Sequence, residues 1–158
     1  MSHQAKESPL QHIAKVHVSC IKRFVASEHL REANVGSIGN NFKNLFLNKV
    51  EENVRDATLN IHRLTENSNN PSIIAELGDK SKIKLAHLFA LFRRRFRYGQ
   101  GHLLVNESAK IAYIADIDEK LRVVNFSWCL FRNFWIVGAL PVDYPLGWGV
   151  NGQVISYD

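Results

Sequence analysis

The sequence predicts an α+β fold in which three or four N-terminal helices pack on a C-terminal antiparallel sheet of four or five strands. Three observations carry that expectation. Apolar residues recur at helical spacing as far as Arg97, then alternate or run together as strands do beyond Gly99-Gln100-Gly101. The connections between apolar runs in the second half are short and polar, which favours antiparallel neighbours and leaves no room for crossover helices. With 158 residues and 46% hydrophobic content, the chain suits one domain, 1–158, divided into a helical half over 8–98 and a β half over 99–158.

The first helix is expected to open at Ser8 as N-cap with Pro9 at the first helical position, because proline has no amide hydrogen to lose there. Leu10, Ile13, Ala14, His17, Ile21, Phe24 and Val25 then share one stripe, and His17 at its centre reads as a hydrogen-bonded core histidine. A second, longer helix places Phe42, Phe46, Val50, Val54, Ala57, Ile61 and Leu64 in register, with Glu51 and Arg55 as an i,i+4 pair. Asn70-Pro71 opens a short helix that ends near Gly78, and Asp79 or Ser81 caps a basic helix after it. On that last helix Leu85, Leu88, Phe89, Phe92 and Phe96 face a core, while Lys80, Lys84, His87, Arg94 and Arg97 lie opposite. Strands are expected at about 102–106, 110–117, 121–128, 134–140 and 153–157, the second and third joined as a hairpin by Asp116-Ile117-Asp118-Glu119-Lys120.

The net charge of +5 is unevenly spread. Lys80, Lys82, Lys84, Arg93, Arg94, Arg95 and Arg97 follow one another with no intervening acid, whereas residues 99–158 hold four cations against six acids. An electrostatic surface therefore belongs to the basic helix. Arginines this close together, beside Phe96 and Tyr98, can grip phosphates while an aromatic ring stacks on a base. Equally, cations at a helix C-terminus oppose its dipole and keep an apolar helix in solution.

Several patterns dissolve on inspection. Gly147-Trp148-Gly149-Val150-Asn151-Gly152 matches G-x-G-x-x-G, but no helix and following strand can fit after it. Asp116, Asp118 and Glu119 lack the glycine and distal glutamate of a calcium loop. No histidine or cysteine spacing predicts a metal or cofactor site, and His12 and His17 fall on different sides of a helix. Cys20 and Cys129 read as unpaired thiols of a reducing compartment. The N-terminus carries no apolar core after its charges, and the longest apolar stretch is interrupted by Asn125, Arg132 and Asn133, so a cytoplasmic location without a membrane partner is expected. No nucleophile elbow or phosphate loop appears, and motif alone argues no enzyme.

Three function readings follow. The first is a non-enzymatic module that meets an anionic partner, nucleic acid or an acidic protein, through Arg93, Arg94, Arg95, Arg97 and Lys84. The second is a pocket for a small apolar ligand between helices and sheet, catalytic or not, lined by Tyr113, Asn125, Ser127, Trp128, Trp135 and Trp148, with His102 and Asp116 among the polar strand residues. The third is a homodimer joined through the same aromatic sheet face.

Overall fold

The computed structural model describes residues 7–97 and 108–158, and of 95–97 the backbone only. In chain order its elements are β1 (Leu10–Val18), β2 (Ile21–Val25), α1 (Ala26–His29), β3 (Val35–Ile38), α2 (Asn40–Phe46), β4 (Val50–Val54), β5 (Ala57–Leu64), α3 (Asn70–Leu77), a 3-10 turn (Gly78–Ser81), α4 (Leu85–Arg97), β6 (Lys110–Ala115), β7 (Leu121–Cys129), β8 (Phe134–Pro141) and β9 (Gln153–Tyr157). Seven strands form one sheet in the order β1-β5-β9-β6-β7-β8-β3, and β2 pairs with β4 in a second, two-stranded sheet. The large sheet is mixed. Its β6–β9 and β3–β8 pairs are parallel and the other pairs antiparallel.

This overturns the expectation of N-terminal helices packed on a four- or five-stranded antiparallel sheet. The first half of the chain contributes β1, β3 and β5 to the main sheet, and four helices, most of them short, are interspersed. The stripe of Leu10, Ile13, Ala14 and His17 matches helical spacing only by coincidence, because inside β1 burial follows period two. Val16 and Val18 are buried, whereas Lys15 and His17 are exposed. In β5 likewise Leu59 and Ile61 are fully buried, and the intervening Asn60 is not. The β-branched content of Ile13, Val16 and Val18 favours the pleated conformation over a helix. A bulge between His12 and Ala14 shifts the β1–β5 register and moves Ile13 out to 43% exposure.

The long second helix reduces to α2, where Phe42 and Phe46 stack at 5.4 Å, and its remainder is β4 and β5. The short helix is α3. Asn69 accepts from the Ser72 amide at 2.9 Å as N-cap, and Gly78 takes φ 61° after Leu77, a left-handed value that favours glycine. The strand expected over 102–106 lies outside the described residues.

Helix α4 decides how the layers stack. Every residue from Leu85 to Phe92 is buried, His87 included, so the first two turns of the helix are internal. It lies on one face of the large sheet with β2, β4 and α2, in a core that includes Phe24, Phe89, Phe92, Phe126 and Trp135. The opposite face is covered by α3 and by segment 142–152 around Ile73, Ile111, Tyr113 and Val154. The glycines of that segment shape a loop. Gly147 sits where a Cβ would meet the Ser68 carbonyl oxygen at 2.9 Å, beside the Ser68–Trp148 bridge.

The N-terminus of α4 is buried and must satisfy its amides inside the protein. Glu51 of β4 supplies the acceptors: its carboxylate takes the Leu85 amide at 3.0 Å and the Ala86 amide at 2.8 Å. Lys49 meets the same carboxylate at 3.3 Å and donates to the Ala115 carbonyl at 2.6 Å. Glu51 is thus the anchor of α4, not half of a helical i,i+4 pair.

Candidate functional site

Beside that buried N-terminus the surface opens into a recess of about 680 Å³, within the size range of small-molecule sites. One wall is the β4–β5 corner, from Glu52 through Arg55 and Asp56 to Thr58, and the other is formed by Lys84, His87, Tyr157 and Asp158. These residues come from three distant stretches, joined because β5 pairs with β9 and α4 begins over their ends.

The floor is a chain of hydrogen bonds with a definite direction. Carbonyls only accept, so His87 donates from Nε2 to the Arg55 carbonyl at 2.6 Å. Its Nδ1 then accepts from the Tyr157 hydroxyl at 2.8 Å, and that hydroxyl accepts from the Lys84 amide at 2.9 Å. Burial pushes the Tyr157 phenol up to about 12, so it stays protonated and keeps donating to His87. Both ring nitrogens and the phenol proton are committed. The floor orients; it offers no free base.

The rim carries charge of both signs, Glu52, Asp56 and Asp158 beside Arg55 and Lys84. Asp158 pairs with Lys15 at 2.9 Å, and His17 stands 3.7 Å from Asp56. Among the described residues no ion pair engages the side chains of Arg55 or Lys84. His17 is thereby placed on the surface, its side chain 60% exposed, and not in a core.

The arginines of the basic run are placed differently from the expectation. Arg93 binds Glu32 at 2.6 Å, and Arg94 donates to the His17 carbonyl at 2.6 Å. The side chains of Arg95, Phe96 and Arg97, and all of Tyr98, lie outside the described residues. Of the expected anion-binding cations whose side chains are described, Lys84 alone lines the recess.

The expected aromatic pocket is divided between the two faces of the sheet. Trp128 and Trp135 meet edge to face at 5.0 Å in the core beneath α4, where Trp135 also stacks on Phe92 at 5.1 Å. Among the described residues the buried Trp135 indole N–H finds no acceptor. Tyr113 and Trp148 belong to the other face, where both donate to Asn70 Oδ1, at 2.9 and 2.7 Å, while the Asn70 amide nitrogen donates to the Val142 carbonyl at 3.1 Å. Burial raises the Tyr113 phenol, consistent with a permanent donor. These three side chains lock α3 and the 142–152 loop onto the sheet. Asn125 and Ser127 are half-buried on that same face by strand alternation, and Asn125 Oδ1 has no partner among the described residues. His102 lies outside the described residues.

Asp116 is fully buried and binds the Asp118 and Lys120 amides and the Arg122 guanidinium at 2.8 to 3.0 Å. Burial alone raises its carboxyl, but the Arg122 bond and the two amides outweigh it and hold the group below the usual carboxylate range. It is the keystone of the β6–β7 turn. Asp118 and Glu119 are exposed beside it.

Sequence reasoning missed Arg55, Asp56, Tyr157 and the inward position of His87. One signal was present: His87 interrupts the otherwise apolar run Leu85-Ala86-Leu88-Phe89-Ala90, and a histidine inside a buried helix needs partners. The partners, Arg55 and Tyr157, are invisible without the strand register. Among the described residues no helix is long and apolar enough to cross a membrane. Cys20 is exposed and Cys129 half-buried, both as free thiols. Compared with models of known protein families, with curated proteins and with solved structures, the chain matches none.

Proposed function

We propose that this protein is a non-enzymatic binding module whose recess above His87 and Tyr157 takes a small organic anion between Lys84 and Arg55. The observation that carries this reading is the contrast in commitment of the cations. Among the described residues Lys84 and Arg55 line one concave site without ion-pair partners, while Arg93 and Arg94 are held by Glu32 and the His17 carbonyl. A cation pair over an apolar patch of Val54, Ala57 and the Tyr157 ring suits a ligand with a charged head and an apolar body. The commitment of both His87 nitrogens and of the Tyr157 proton favours binding over acid–base catalysis.

Phenyl phosphate and its neutral counterpart benzyl alcohol are suitable probes in an amide NMR titration. Phenyl phosphate is expected to shift residues 52–58, 84–87 and 157–158, benzyl alcohol to shift them far less, and the Lys84→Ala plus Arg55→Ala variant to weaken phenyl phosphate binding at least tenfold. Equal binding by the double variant, or shifts centred elsewhere, overturns the reading.

A further inference from the structure

A second constellation lies on the sheet face opposite α4. His12 of β1 and His62 of β5 are directly opposite partners in antiparallel strands, with ring centroids 5.9 Å apart. Their tautomers are fixed by neighbours. Asn60 donates its amide nitrogen to Asp158 Oδ1 at 3.3 Å, which turns Asn60 Oδ1 towards His12 Nε2 at 3.1 Å and makes that nitrogen the donor. Ser156 donates its hydroxyl to the Tyr157 carbonyl at 3.0 Å, so its oxygen accepts from His62 Nε2 at 2.9 Å.

Each ring therefore carries its proton on Nε2 and its lone pair on Nδ1, and neither Nδ1 has a hydrogen-bond partner among the described residues. An Nε2–H anchored to an oxygen fixes the ring and its tautomer, as metal-ligating histidines require. Two imidazoles bound to one tetrahedral ion through bonds of about 2.0–2.1 Å have centroids roughly 5 Å apart, so a side-chain adjustment of under about 1 Å closes this pair, at 5.9 Å, on an ion.

We infer that His12 and His62 chelate a borderline divalent cation of the zinc class through their Nδ1 atoms and clip the edge strand β1 to β5. Among the described residues no group of three or more His, Cys, Asp or Glu side chains could hold a metal, so the remaining coordination positions belong to water or to an incoming ligand. Imidazole pairs suit zinc, nickel and copper over magnesium or calcium. The site uses neither Lys84 nor Arg55, so it stands or falls independently of the anion reading.

The test is calorimetric titration of the full chain with zinc chloride alone, together with long-range nitrogen–proton NMR of the imidazoles. One ion is expected per chain, with the Nδ1 signals of both His12 and His62 moving together. His12→Ala, at an exposed position, is expected to weaken binding at least tenfold, and His17→Ala, on the same strand, to change it less than twofold. His62→Ala repeats the loss if it folds, and His12→Ala decides the matter if it does not. Binding retained within twofold by His12→Ala, movement of one ring only, or no heat at millimolar zinc overturns the inference.

Discussion

The two ends of α4 are charged in opposite ways and to opposite purposes. At its start a buried carboxylate, Glu51, meets the Leu85 and Ala86 amides with Lys49 behind it, the two side chains only 2% and 9% exposed. At its finish Arg93 reaches a Glu32 carboxylate that is half exposed, and Arg94 a strand carbonyl. The helix dipole favours both arrangements. Solvent makes them unequal: a buried charge deprived of its partner has nowhere to turn, while an exposed one returns to water. An arginine run at a helix end therefore says less about partners than a single acid at the other end says about the fold.

Glu51→Ala is the strongest way to break this contrast. It strands Lys49 in the interior and leaves two buried helix amides without acceptors, so a loss of about 3–5 kcal/mol is expected, measured by urea unfolding. Glu51→Gln keeps an acceptor for one amide and should fall between the two. A Glu51→Ala protein that loses less than about 1 kcal/mol, the range of an exposed pair, would show that the two ends are equivalent after all.

Tyr157→Phe sharpens the comparison within the buried end. The change removes the acceptor of the Lys84 amide and the donor to His87 Nδ1, for an expected cost of about 1–3 kcal/mol. It also has a pH signature. The Tyr157 phenol is raised from 10.0 to about 12 in the folded protein, so its contribution is present below pH 10 and disappears as pH rises through 12, where the unfolded chain has already released the proton. The stability gap between parent and variant should therefore shrink between those values. Lys110, lowered by burial to about 8, acts in the opposite sense from there up to the usual lysine range, but it is common to both proteins and cancels in the difference. A gap that is constant across pH 10 to 12 would detach Tyr157 from the hydrogen-bond floor of the recess.

What the sequence revealed, and what it concealed, follows the same division. The strands beyond residue 109 and the helices around Asn70–Leu77 and Leu85–Arg97 were legible because local signals agree there: alternation, a Pro near the helix start, a glycine after its end. The error lay at 10–25 and 50–64, where apolar residues satisfy periods of 2 and 3.6 at once over short windows, and pairing with distant strands chose between them. A residue such as Val16 is compatible with either period; its partner Leu59, far along the chain, is what fixes it. Both candidate sites depend on that same register. Lys84 was visible as a cation, but its relation to Arg55 and Tyr157, and that of His12 to His62, exists only once β1, β5 and β9 lie side by side.

The smallest effect belongs to the exposed end. Arg93 and Glu32 approach to 2.6 Å, but with side chains 31% and 51% exposed the pair is screened, and Arg93→Ala should cost about 0.2–1 kcal/mol at low salt. The Arg93 hydrogen bond, followed by that of His29, holds the Glu32 carboxyl below its usual 4.5. Its share of stability is therefore present above that pH and is lost as the folded carboxyl protonates. Arg93→Ala should flatten the acid limb of the stability curve slightly and lose its effect altogether near 1 M salt, where the screening length falls to about 3 Å. A cost that survives high salt would mean that Arg93 contributes through the packing of its aliphatic stem over Phe89 and Ala86, its neighbours around the small cleft beside His29. The difference between the two ends of α4 would then be one of degree and not of kind.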